Sequence, residues 1–148
     1  MLRAAVLTVL LATVESAQAC GYCVEDKMAA VYDHAVVARA LGQKHHVAFF
    51  HIDGRLVPDG ATKRALEAIA DSSPGVDKGS ARVSVESASL AVAFDPRRTP
   101  LAALQKDIER RFATKKLSLM LLQVMDRPAD FSPSVSRALQ ASKGKIGL

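Results

Sequence analysis

Aromatic residues and cysteines are scarce: the 148 residues hold no Trp, two Tyr and only two Cys. A single-stranded nucleic-acid surface stacks bases on aromatic rings between clustered lysines and arginines. Here the basic residues are scattered, so nucleic acid is not an expected partner. The net charge of +5 is a matter of solubility and weak attraction to anionic surfaces. The two cysteines, Cys20 and Cys23, stand too close in sequence to staple distant segments, so whatever the thiols do, they do locally. No Gly-rich phosphate loop, no local Ser/His/Asp arrangement and no recognisable carboxylate pair is found. None of these motifs assigns an enzyme class, so a non-catalytic protein is the expectation unless the thiols themselves act.

Long hydrophobic runs are also missing. The apolar stretch Ala4 to Val14, interrupted only by Thr8 and Thr13, is about the length of a signal core and too short to span a bilayer. Arg3 precedes it, Glu15 and Ser16 end it, and Ala17-Gln18-Ala19 offers the small-x-small pattern of a signal-peptidase site. The expectation is a signal peptide over residues 1–19, export to a periplasm, and Cys20 as first mature residue. A cysteine directly after the cleavage point is also what lipoprotein processing requires. Against lipid anchoring at Cys20, Ala17 stands where that machinery usually finds leucine. What remains after cleavage is the size of one domain, with no transmembrane segment.

From Val24 to Leu41, apolar residues recur at steps of four and three, which predicts one amphipathic helix ending at Gly42. His46 to Ile52 is a short apolar and aromatic strand closed by Asp53-Gly54. Pro58-Asp59-Gly60 opens a helix carrying Ala61, Ala65, Leu66 and Ile69 on one face. Ala81 to Ser87 alternates, with Val83 and Val85 to one side, and Leu90, Val92 and Phe94 form the return strand of a hairpin. Thr99-Pro100, a capping hydroxyl before a first-turn proline, starts a helix with Leu101, Leu104, Ile108 and Phe112 inward. Leu117 to Met125 is a last strand, followed by a linker and basic tail over 126–148. Two split βαβ units in this order predict an α+β, ferredoxin-like βαββαβ domain over 46–125. Its four-stranded antiparallel sheet would carry two helices on one face. A segment over 20–42, with the CxxC and an N-terminal helix, would precede it. The other face of the sheet would be open, and in one alternative reading it binds another exported protein while the thiols are incidental.

Over residues 46–125 the chain resembles the heavy-metal-associated domain of copper chaperones and metal-pumping ATPases. Three local matches carry the resemblance: Ile52-Asp53-Gly54 after the first strand, Pro74-Gly75-Val76 before the second, and Val92-Ala93-Phe94-Asp95-Pro96 through the third. It implies a ferredoxin-like fold and soft-metal binding. The family places its two metal-binding cysteines in the loop after the first strand. This chain has Arg55-Leu56-Val57-Pro58-Asp59-Gly60 there, so the ligands do not carry over.

The chemistry therefore falls on Cys20-Gly21-Tyr22-Cys23. Two thiols at this spacing on a helix are a ligand pair for a soft metal and also a redox couple. Two sulfurs suffice for Cu(I), whereas Zn(II) demands two more ligands, which a second chain in a metal-linked homodimer can supply. The same tetrapeptide is similar to the active site of periplasmic disulfide isomerases, whose thioredoxin fold requires a strand before the motif. A thiol oxidoreductase is thus an alternative, as is a local disulfide that merely persists. His34, on one continuous helix, would stand about 16 Å from Cys23 along the axis. His45 and His51 fall on one face of the first strand and His46 on the other, with His45 and His51 about 20 Å apart on an extended chain. If a histidine helps Cys20 and Cys23 to hold Cu(I) or Zn(II), His45 or His46, just after the Gly42 turn, is the candidate. The alternative is that they are solvated surface histidines.

Overall fold

The computed structural model describes residues 19–130, and of residues 19–23 and 129 it describes the backbone alone. The expected signal peptide, up to residue 18, and the tail from residue 131 lie outside the described residues.

The elements are α1 (Ala19–Ala29), α2 (His34–Gly42), β1 (His46–Asp53), α3 (Gly60–Asp71), β2 (Arg82–Ser84), β3 (Ser89–Phe94), α4 (Leu101–Phe112) and β4 (Ser118–Met125), with short 3-10 turns at Ala113–Lys115 and Pro128–Asp130. The sheet has order β2-β3-β1-β4 and every neighbouring pair is antiparallel. Both βαβ units are split, each with one strand inserted between its two members. The fold is ferredoxin-like.

Even-numbered residues of β1, Ala48, Phe50 and Ile52, face α3 and α4. They pack with Leu66 and Ala70 of α3 and Leu104, Ile108 and Phe112 of α4, together with Val83, Leu90, Val92 and Phe94. Odd-numbered Val47 and Phe49 face the other way, into a second core of Met28, Val31, Val36, Val37, Ala40, Ala91, Ala93 and Met125. The sheet is therefore covered on both faces, and the expected open face is occupied by α1 and α2. The strand compositions agree with this. β1 reads Val47-Ala48-Phe49-Phe50 without a polar break, and all six residues of β3 are buried. A continuous apolar strand is the pattern of a sheet with no solvated side.

The single helix expected over 24–41 is two helices. The break at Ala30–Asp33 has a local cause: Asp33 takes an extended backbone (φ −117, ψ 110) and its Oδ1 accepts from the amides of Ala35 and Val36 at 2.9 and 3.1 Å. Asp33 is thus an N-cap, and its Oδ2 also receives Arg82 Nε of β2 at 2.8 Å. The three-and-four spacing survives because both helices turn their apolar residues to the same face of the sheet.

Two further expectations change. The second strand is shorter than Ala81–Ser87, since the chain turns after Ser84 with Ala88 in the left-handed region (φ 49). α4 is capped by Pro100 without a side-chain hydrogen bond, so the Thr99 hydroxyl is not its cap. Thr99 instead packs on Gly75, where a Cβ would stand 2.5 Å from Thr99 Cγ2 and where φ is +86. Only glycine fits that approach.

Candidate functional site

Cys20 and Cys23 lie three positions apart in α1, hence on one side of the helix. One turn beyond Cys23, Lys27 docks α1 onto the sheet. Its ammonium donates to the Ser87 carbonyl at 2.6 Å and lies 3.1 Å from His51 Nδ1. The same Nδ1 is 2.8 Å from the carbonyl oxygen of Ala88, which also accepts from the Ile52 amide at 2.8 Å. A carbonyl oxygen only accepts and an ammonium only donates, so the two contacts call for opposite states of Nδ1: the tautomer with the proton on Nδ1 bonds the Ala88 carbonyl and leaves Lys27 to Ser87, whereas a lone pair on Nδ1 accepts from Lys27. The left-handed Ala88, a conformation costing about 1–2 kcal/mol for a residue with a Cβ, is part of the turn that presents this carbonyl. The CxxC helix therefore meets the sheet at the His51 end of β1, the end that leads into the Gly54–Asp59 loop.

His45 and His46 occupy the opposite end of β1. His45 is clamped between two carboxylates, with Nδ1 2.7 Å from Asp77 Oδ2 and Nε2 3.7 Å from Asp95 Oδ2. It lines a cleft of about 350 Å³ with Gly75, Val76, Asp77, Asp95, Arg98 and Thr99. Asp95 is balanced in turn by Arg97, whose Nε and Nη2 reach its two oxygens at 2.9 and 3.0 Å. The Arg97 guanidinium bond, helped by the Arg97 amide, holds the Asp95 carboxyl at about 2, below the usual 3.8, against the opposing effect of its burial. His46 sets its ring edge-on to Phe94, with centroids 5.8 Å apart. The structure thus separates His45 and His46 from the end of the sheet at which Lys27 docks α1, and His34 stands exposed at the start of α2. Among the described residues, no three side chains of His, Cys, Asp and Glu converge on a point that a metal ion could occupy.

The loop in which the resembled family carries its cysteines is structural here. Leu56 packs against the first core, and Asp59 caps α3 by accepting from the Thr62 amide at 2.6 Å. Gly54 has φ +124 and stands so near Leu117 and Lys116 that a Cβ would lie 2.7 Å from Leu117 Cδ2. The three local matches have packing reasons: Gly54 against β4, Gly75-Val76 against Thr99 and Phe94, and Asp95 at the end of β3.

No family model and no curated protein matches the chain. Among solved structures, it is similar to oxidized MerP from Ralstonia metallidurans CH34, with 19% identity over 53% of this chain and 99% of that one and a TM-score of 0.42. It is similar to a copper binding domain from HMA7, a P-type ATPase, with 20% identity over 53% and 96% and a TM-score of 0.43. A third is the Cu(I)-loaded N-terminal domain of a potential copper-translocating P-type ATPase from Bacillus subtilis, with 19% identity over 56% and 94% and a TM-score of 0.42.

Reading the sequence missed Lys27 and its partners. Lys27 meets residues 24 and 60 positions away, and no local pattern announces contacts across such separations. The one available signal was the spacing of Cys23 and Lys27 at i and i+4, which puts them on one helix face.

Proposed function

We propose that this chain is an exported soft-metal carrier, that its cargo is copper(I), and that Cys20 and Cys23 hold the ion. The observation that carries this reading is a thiol pair, the only cysteines of the chain, set three apart on one helix of a ferredoxin-like domain. Cleavage after Ala19 would place the pair in the first turn of α1, where the positive end of the helix dipole favours thiolate. Thiolate sulfur is a soft ligand, and two such sulfurs satisfy Cu(I) without further donors.

No helix among the described residues is long and apolar enough to cross a membrane. Export and the new amino terminus are tested together by the intact mass of the secreted protein, which is expected to begin at Cys20 and to carry no acyl chain.

The metal reading is tested by anaerobic Cu(I) titration of the reduced protein against a competing chromophoric chelator. One tightly held ion per chain is expected, and its loss in the Cys20→Ser, Cys23→Ser double variant. Unchanged binding in that variant would remove the thiols from the site. The oxidoreductase alternative requires turnover in an insulin-reduction assay, where none is expected.

A further inference from the structure

Three residues on adjacent strands form a row across the His51 end of the sheet. Ser89 of β3 pairs with His51 of β1, which in turn pairs with Met120 of β4. Directly opposed residues of antiparallel strands share a face, with Cβ atoms about 4.5–5.5 Å apart. That face is the one covered by α1 and α2, since Val47 and Phe49 precede His51 on it.

Each member of the row carries an unused polar or soft group. Ser89 is fully buried, yet its hydroxyl has no hydrogen-bond partner among the described residues. Leaving such a group unpaired costs about 1–3 kcal/mol. Met120 is 56% exposed, although the neighbouring apolar residues on this face, Phe49 and Met125, are closed off from water. His51 meets both the Ala88 carbonyl and Lys27 through Nδ1; in the tautomer whose Nδ1 proton goes to that carbonyl, Nε2 carries the lone pair. Fixing one ring nitrogen on a backbone carbonyl is how an imidazole is oriented to ligate through the other. Lys27 ties α1 to the turn before this row by donating to the Ser87 carbonyl, with its ammonium 3.1 Å from His51 Nδ1, and Cys23 precedes Lys27 by a single turn.

We infer that His51, through Nε2, and Met120, through its thioether, complete the site of the ion held by Cys20 and Cys23, with the Ser89 hydroxyl hydrogen-bonded to one of the sulfurs. The inference rests on the thiol reading above and adds the sheet's half of the site. Thiolate, thioether and imidazole together form a soft donor set, which suits Cu(I) and gives Zn(II) no advantage. Two thiolates on Cu(I) leave one net negative charge, and the Lys27 ammonium beside His51 offsets it. His45 has no such role, because both its ring nitrogens face carboxylates at the far end of β1.

The test is Cu(I) titration of the full chain, reduced and anaerobic, against a competing chelator, on four proteins: the unchanged chain, His51→Gln, Met120→Leu and His45→Gln. His51→Gln and Met120→Leu are each expected to weaken binding about tenfold or more, and His45→Gln to bind as the unchanged chain does. X-ray absorption of the unchanged Cu(I)-loaded protein reads the donors independently of any substitution, and is expected to show outer-shell scattering from one imidazole. Loss of tight binding on replacing the two cysteines, with His51→Gln and Met120→Leu binding normally and no imidazole scattering, overturns this inference and leaves the thiol reading standing. Normal binding without the cysteines overturns both. A loss that falls on His45→Gln and spares His51→Gln also overturns it.

Discussion

Asp95 stands at the end of β3 with its carboxyl largely shielded from water and both oxygens bonded to Arg97. Its folded value of about 2 lies below the ordinary 3.8, so the folded chain binds this proton less readily than the unfolded chain does. The stability that the charged carboxylate contributes is complete above pH 3.8 and is lost as pH falls through about 2. In carboxyl NMR, Asp95 is expected to titrate near 2 in the unchanged protein. The midpoint is expected to rise towards the ordinary value in Arg97→Gln. A midpoint that stays low without the guanidinium would assign the shift to other neighbours.

At the scale of elements, the break between α1 and α2 rests on one side chain. Asp33 caps α2 through Oδ1 and meets Arg82 through Oδ2. The ion pair with Arg82 requires the ionised form, and the amide of Val36 followed by the Arg82 side chain lowers the Asp33 pKa. Asp33→Ala is expected to cost about 1–2 kcal/mol in urea unfolding, the worth of an N-cap. Asp33→Asn keeps a capping oxygen and loses only a half-exposed ion pair, so about 0.5 kcal/mol is expected. Equal losses in the two variants would show that the charge pair, and not the cap, holds the junction.

Over the whole molecule, α1 and α2 turn a two-layer domain into one with helices on both faces of the sheet. Phe49 and Phe50 are adjacent and equally closed off, one in each core. Phe49→Ala and Phe50→Ala are therefore both expected to cost about 3–5 kcal/mol. A bare sheet face would make the Phe49 change nearly free, and a small loss there would refute the second layer. Removal of the residues before Lys44 is expected to expose Val47, Phe49, Ala91, Ala93 and Met125, and dye binding to exposed apolar surface reads that directly.

The order of strands and helices from His46 to Met125 was legible because apolar spacing, turn residues and strand composition are local and agree with one another. The chain around Asp33 was misread because two helices facing the same sheet preserve the spacing of one. Thr99 was misread as a cap because a hydroxyl before proline has the same local signature whether it bonds or packs. The cysteine pair was visible as a motif, and its proposed partners on the sheet were not. His51, Ser89 and Met120 become neighbours only through strand pairing, which joins positions far apart in sequence.

By itself the sequence determined the order of strands and helices from His46 to Met125, that the chain makes a ferredoxin-like sheet, and that its only thiols lie together. The tertiary structure alone decided that the second face is covered, that His45 is clamped by carboxylates, and that α1 docks at the other end of β1. The physical reason is range. Periodicity and capping act over a few residues, whereas the face a helix covers and the histidine it meets depend on contacts across 24 to 60 positions.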